Sequence, residues 1–296
     1  MNKKEVLDYY GIKPDAISKK GLASIITAGD KKYVIKKINR KVDPFSYLIT
    51  RHFNNFPKVY SSMNDEIELT DYIEEKNTPL EQKLEDLVYL VSILHIKTTF
   101  YKDVDEDYLK NIYESIINKQ EKMINYYNEL QNMIELEVYM SPANYLLVRN
   151  VSILYLAINK SREYIEKWYD VIKEVKKIRL AYIHGNLDYD HLIEGDDLYL
   201  ISWDKSRVDL PIYDLETLYR NNYFHVNLES ILEIYESKYP LKKEEYYLLM
   251  SILLIPDKID LSSNEYAKTK QVSNLIFYMN KILTYLKNNS NKANNN

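Results

Sequence analysis

The sequence predicts an α+β chain, with a small β-rich lobe over residues 1–74, a larger mainly helical lobe over 75–286 and a disordered tail over 287–296. Three observations carry this reading. Two β-rich runs flank a Gly-Asp turn near the N-terminus, and from Leu80 onward apolar residues recur at intervals of three and four. The residues after Leu286 are Lys, Asn, Ser and Ala, with no apolar group large enough to anchor them.

The first β signal is Leu22-Ala23-Ser24-Ile25-Ile26-Thr27-Ala28, then Gly29-Asp30, then Lys31-Lys32-Tyr33-Val34-Ile35-Lys36-Lys37-Ile38, which predicts a hairpin. A short helix is expected between Pro44 and Phe53. Two further strands follow, Lys58-Val59-Tyr60-Ser61 and Glu66 to Ile73. At Thr78-Pro79-Leu80-Glu81 the signals change: Thr78 can cap, Pro79 suits a first helical position, and Glu81 stands where a capping box places its acid. Leu80, Leu84, Leu87, Val88, Val91 and Leu94 then mark one buried helical stripe. Similar spacing predicts helices around 108–135, 161–178, 242–254 and 266–287. One segment, Ala181 to Asp204, interrupts the helical lobe as a polar loop followed by a β-hairpin, the kind of segment on which a site is carried.

Composition narrows the function classes. Apolar residues make up 46% of the 296, charged residues 28%, and 44 acids against 40 bases leave a net charge of −4, the profile of a globular protein with no basic excess for nucleic acid. The absence of cysteine excludes disulfides, thiolate metal sites and cysteine nucleophiles, and it fits a reducing, cytoplasmic setting. No secretory signal is visible, and no run approaches the ~18 apolar residues of a membrane span, so no membrane partner is expected. Five glycines, at 11, 21, 29, 185 and 195, are too scattered for a Walker A loop or a Rossmann fingerprint. The 30 tyrosines against 6 phenylalanines would suit a binding or cross-linking role, and a genome of low G+C content gives the same bias.

The order of β lobe, helical lobe, His184-Gly185 loop and hairpin, then Asp209-Leu210-Pro211-Ile212-Tyr213-Asp214-Leu215, resembles the aminoglycoside phosphotransferase and choline kinase branch of the two-lobed protein-kinase-like fold. Within it, the Asp-Leu-Pro-x-x-Asp-Leu string and the opening Val6-Leu7-Asp8-Tyr9-Tyr10-Gly11 are similar to spore-coat CotS-type kinase-like proteins. The resemblance implies ATP and magnesium as cofactors. It places nucleotide contacts at Lys36 and along Asp71-Tyr72-Ile73, a catalytic acid at the position of Asn186, metal ligands at His191 and Ser202, and a second acid at Asp204. His184, Gly185 and Asp214 fall at structural positions, with Asp214 accepting hydrogen bonds from the loop backbone. It also implies an unidentified protein partner among spore-coat components, with deposition on the coat.

Several of these positions depart from the pattern. Asn186 has the shape of Asp without its basicity, so it can position a hydroxyl but not take its proton. Ser202 is neutral and His191 offers nitrogen, where magnesium favours carboxylate and other oxygen donors. Lys36 would pair with a glutamate on the next helix, yet no acid lies between Asp43 and Asp65; it also reads as a solvated lysine in a basic run. If the chain there were extended, Asp204 would share a face with Ser202 and approach a metal. Asp188 and Asp190 add charge or serve local turn hydrogen bonds. The expectation is a pseudokinase acting as a binding or assembly protein, the alternative an active phosphotransferase with metal ligands relocated to Asp204, Asp188 or Asp190.

Overall fold

The computed structural model describes residues 3–38, 43–60 and 67–294. In chain order the elements are α1 (Lys3–Tyr9), β1 (Ala16–Lys20), β2 (Ala23–Ala28), β3 (Lys31–Lys37), α2 (Phe45–Thr50), β4 (Val59–Tyr60), β5 (Ile67–Asp71) and α3 (Leu80–Thr98). There follow β6 (Phe100–Asp103), α4 (Glu106–Glu135), α5 (Pro142–Ile172), β7 (Lys177–Ile183), β8 (Leu192–Glu194), β9 (Leu198–Leu200) and β10 (Arg207–Asp209). The chain closes with α6 (Ile212–Asn222), α7 (Leu228–Glu236), α8 (Lys243–Leu253) and α9 (Glu265–Asn294). The protein is therefore α+β, with a β-sheet N-terminal part and a helical C-terminal part, as its patterning predicts. Ser61 and Glu66, read as ends of two strands, lie outside the described residues.

Two compact units divide the chain without following a 74/75 boundary: residues 1–99 with 181–221, and 100–180 with 222–296. In the first, an antiparallel sheet has the order β1-β2-β3-β5-β4. Alternation sorts its side chains: Ile26, Tyr33, Ile35, Ile67 and Leu69 turn to one face, where Val6, Leu7 and Ile12 close a buried core. Tyr60 packs edge-on against Tyr10 and Tyr33 and donates to Asp71 Oδ1 at 2.8 Å. Burial, with that hydrogen bond to Asp71, pushes the Tyr60 phenol up to about 12. Patterning misses β1, which is exposed along its whole length and forms the sheet edge; it misses β6 and β10 as well, and the helix expected over 161–178 ends at Ile172, before β7 begins at Lys177.

The α3 start corrects the capping expectation. Pro79 is extended at the N-cap (ψ 141°) and no side chain caps the helix, so Thr78 and Glu81 form no capping box. The preceding segment is held elsewhere: the Lys76 N–H donates to the Glu194 carbonyl at 2.7 Å, and Glu75 pairs with Lys83.

In the second unit, α5 presents Leu147, Val151, Leu154, Ile158, Ile165 and Trp168 as a buried stripe toward its neighbours. It begins at Ser141, whose Oγ accepts from the Asn144 N–H, with Pro142 in the first turn. A buried polar chain links three of these helices: Gln120 Nε2 donates to Ser161 Oγ at 2.7 Å, and Ser161 donates to the Ser251 carbonyl at 2.5 Å. The tail expectation is corrected as well. The last helix continues to Asn294, and near its end Lys292 Nζ lies 2.6 Å from Glu229. Residues 295 and 296 lie outside the described residues. Among the described residues, no helix is long and apolar enough to cross a membrane.

Leu69, 1% exposed at the centre of the first unit's core, supplies the test of this packing. Leu69→Ala is expected to cost about 2–5 kcal/mol, read as a lowered urea midpoint with unchanged m-value.

Candidate functional site

The candidate site lies within the first unit and is built around Asp214. This carboxylate, 0% exposed in the first turn of α6, accepts from the His184 N–H at 2.8 Å and the Gly185 N–H at 2.7 Å, and His95 Nε2 stands 3.1 Å away. Burial alone would raise the Asp214 carboxyl, but the hydrogen bond and charge of His95 and the Gly185 N–H hold it below the ordinary carboxylate range. The loop after β7 thus leaves the sheet on two backbone bonds to one side chain. Gly185 is required there twice over: its φ is +73°, and a Cβ would lie 2.4 Å from the Lys205 carbonyl oxygen.

His184 is fully buried. Its Nε2 donates to the Ile201 carbonyl at 2.8 Å, and its ring meets Trp203 edge-on at 4.8 Å. Burial lowers its pKa to about 4 against the opposing pull of Asp214, so the ring is neutral at physiological pH and serves as a packed connector.

Beyond it, the Asn186 Oδ1 accepts from Lys205 Nζ at 3.2 Å, and the Asn186 carbonyl accepts from His191 Nδ1 at 2.5 Å. That bond fixes the His191 ring to the loop backbone. Asp188 caps the short turn Tyr189–His191 through the Asp190 N–H, the local role that turn chemistry predicts.

After the β8–β9 hairpin the chain does not stay extended. Ser202 sits in the left-handed region (φ 67°, ψ 49°) and Trp203–Lys205 form a 3₁₀ turn, so the extended-strand argument for Asp204 is corrected. Trp203, 2% exposed, is fixed by Nε1 donating to the Leu200 carbonyl at 2.9 Å and by Phe45, Phe53 and Phe56 at centroid distances of 6.3, 6.1 and 6.5 Å. That turn, not strand periodicity, carries Asp204 to Lys36: Oδ2 to Nζ is 3.3 Å. Asp204 Oδ1 is buried with no hydrogen-bond partner.

Lys36 lies opposite Glu68 in the β3–β5 register, and Nζ stands 3.6 Å from Glu68 Oε1. The expectation that Lys36 lacks an acid is thereby corrected. Its partner comes from the neighbouring strand, outside the window between Asp43 and Asp65.

These groups face a cleft of about 400 Å³. Ala23, Ile25, Val34 and Leu200 supply apolar wall, while Lys36, Glu68, Asp190, Ser202 and Asp204 supply charge and hydrogen-bonding groups. Asp71, Tyr72 and Ile73 also line it, and Gly195 in the hairpin turn approaches Ile73 so closely that a Cβ would lie 2.6 Å from Cγ2. The structure therefore brings together Lys36, Asp71, Tyr72, Ile73, Ser202 and Asp204. Asn186, His191 and Asp188 are not part of this wall.

Among the described residues, no three His, Asp or Glu side chains draw together as a metal site. A divalent cation here would fit Asp204, whose Oδ1 is buried and unused, and take its other ligands from phosphate and water, as magnesium commonly does. Sequence reasoning passes over two residues, His95 and Glu68. His95 follows Leu94 on the buried stripe of α3, and Glu68 is an acid within an apolar strand; each is a polar residue at a core-facing or cleft-facing position that needs a partner.

No protein-family model and no curated protein matches the chain. Solved structures do match in fold. An aminoglycoside phosphotransferase from Alicyclobacillus acidocaldarius superposes with a TM-score of 0.72 at 12% identity, over 98% of this chain and 96% of that one. AMP-bound spectinomycin phosphotransferase gives a TM-score of 0.59 at 13% identity, over 94% and 96%. Amicoumacin kinase in complex with AMP-PNP, calcium and amicoumacin gives 0.50 at 12% identity, over 95% of each. The chain thus has the fold of the aminoglycoside phosphotransferases.

The His184 environment has a signed pH consequence. Its folded pKa, about 4, lies below the ordinary 6.5, so as pH falls through that window the unfolded chain takes the proton first and stability drops by roughly 3 kcal/mol. Asp214 adds a second loss only at lower pH: its depressed carboxyl stabilises the fold above the ordinary carboxylate range and loses that effect as it protonates. Urea midpoints measured from pH 7 to 4 are expected to fall in wild type and to fall less in His184→Gln, whose amide keeps a donor for Ile201 without the titration.

Proposed function

We propose that the protein is a nucleotide-binding pseudokinase, acting as a binding or assembly protein on a phosphotransferase fold. The observation that carries this reading is the split between the two halves of the site. The cleft has a lysine positioned by two carboxylates, Lys36 with Glu68 and Asp204, and an ammonium fixed in this way is the kind of group that contacts nucleotide phosphates. The position that would take the acceptor's proton holds Asn186, an amide whose oxygen already accepts from Lys205. An amide has no useful basicity at neutral pH, so a hydroxyl placed there is oriented but not deprotonated.

In this reading the nucleobase enters between Ala23, Ile25, Val34 and Leu200, against Asp71-Tyr72-Ile73, and the phosphates extend toward Lys36. Magnesium arriving with the nucleotide supplies neutralisation of phosphate charge, and Asp204 is the residue that would hold it. Ser202 contributes a neutral hydroxyl. His191 contributes little, because it is not part of the cleft wall.

The two sequence strings shared with CotS-type proteins have structural uses here. Val6 and Leu7 are core residues, and Asp214 anchors the loop. The spore-coat assignment therefore rests on the sequence similarity, and a coat component is the partner class it proposes.

A second reading, an active phosphotransferase acting on a small-molecule or protein hydroxyl, is favoured by one feature, the unpartnered buried Oδ1 of Asp204 beside Lys36. Thermal unfolding with ATP, with and without magnesium or manganese, separates the possibilities. Saturating nucleotide, at 100 times its dissociation constant, is expected to add roughly 2.7 kcal/mol of stability. Lys36→Met should abolish that shift, and Asn186→Ala should leave it in place. Transfer of the γ-phosphate to a hydroxyl acceptor by wild type, lost in Asp204→Asn, would replace the pseudokinase reading with the second.

A further inference from the structure

We infer that Glu68 is the positioning residue of the cleft: it holds the Lys36 ammonium in place from the neighbouring strand, so that the lysine is set by sheet register and needs no acid from α2. This rests on the nucleotide-binding reading above and names the residue that organises that site.

The register carries the first part of the argument. Lys36 and Glu68 are directly opposed on β3 and β5, and in an antiparallel pair opposed side chains share one face of the sheet at close Cβ spacing. Their neighbours on the other face, Ile35, Ile67 and Leu69, are buried at 0%, 2% and 1% exposure. A register slip by one residue would expose that core, so the opposition of Lys36 and Glu68 is locked by apolar packing. Glu68 itself is only 5% exposed, and a buried carboxylate is tolerated when a cation stands beside it; Lys36 Nζ is 3.6 Å away.

The second part concerns α2, which has no acid in the sequence Phe45–Thr50. The nearest acid before it, Asp43, accepts from the Phe45 N–H, the Ser46 N–H and the Ser46 hydroxyl at the start of the helix. What α2 offers the site is apolar: Phe45 packs on Phe56 and Trp203. The helix therefore braces the turn that carries Asp204, while Glu68 braces Lys36. The ammonium is fixed from two directions, by a strand carboxylate at 3.6 Å and a turn carboxylate at 3.3 Å.

Removing Glu68 has two opposite consequences, and the sign of the result identifies the role. Loss of a negative charge near the phosphates would by itself tighten binding of any polyanion. Loss of position would weaken ATP binding, because Lys36 would turn toward Asp204 and leave its place. The affinity for ATP, by calorimetry on the full chain with magnesium present, is expected to fall about tenfold in Glu68→Gln, as the ion pair that orients the ammonium is lost. In Glu68→Asp, which keeps the charge but shortens its reach, part of that loss should return. Unchanged or tighter ATP binding in Glu68→Gln would overturn the inference. If Glu68→Gln fails to fold, Glu68→Asp compared with wild type decides the same question, weaker binding supporting the role and equal binding overturning it. If wild type binds no nucleotide, the proposed function fails on its own. The pairing is then decided by unfolding of Lys36→Met, Glu68→Gln and the double variant: coupling supports the brace and additivity overturns it.

Discussion

A carboxylate taken out of water is tolerated only when hydrogen bonds replace its hydration, and Asp214 meets that condition through the loop it organises. Its two oxygens receive the backbone N–H groups of His184 and Gly185, and His95 reaches it from α3. Three separate stretches of chain, the end of β7, the face of α3 and the first turn of α6, are thereby tied at one buried point. From that point the path of residues 184–191 follows, and with it the location of Asn186. His184 extends the tie to Ile201, which leads into the turn carrying Trp203 and Asp204. None of these bonds requires phosphoryl transfer. The architecture of the site can persist whether or not its chemistry does.

The fold is largely legible in the sequence because periodicity reports burial, and burial is what these elements share. The β2–β3 hairpin announces itself through apolar runs around Gly29-Asp30, and the stripe on α3 through residues three and four apart. What escapes are features fixed by partners distant in sequence. The exposed strand β1 has no apolar face to announce it. The end of α9 makes an ion pair with Glu229, a contact distant in sequence that no local pattern reveals. The same limit applies in the site. Lys36 is legible as a candidate, but Glu68 is not, since their pairing depends on which strands are neighbours and in which register. Asp204 stands out in the sequence on a geometric premise that fails, and it reaches Lys36 by a turn that depends on Trp203 packing among three phenylalanines.

The cleft and the loop thus differ in kind. Around Lys36 the charges are complementary, close and backed by a packed sheet, so the ammonium is held at one place in the cleft. Around Asn186 the polar groups satisfy one another: an ammonium on the side-chain oxygen and an imidazole on the backbone oxygen. A group that must receive a proton needs basicity, whereas these amide oxygens have none at neutral pH and each accepts a hydrogen bond that holds the loop's shape. The cleft around Lys36 and the loop around Asn186 thus have separate structural supports in this chain.

Ser202 illustrates the separation at the level of a single backbone angle. A serine in the left-handed region is uncommon, and the conformation costs of order 1 kcal/mol relative to ordinary backbone. Asparagine and aspartate enter that region several-fold more readily than other non-glycine residues. The peptide path at 202 is therefore better suited to a carboxylate side chain than to the hydroxyl it bears. An aspartate or asparagine side chain at 202 would take up the existing backbone at lower cost than the serine does, with its new carboxylate or amide facing the cleft that Asp204 and Glu68 line.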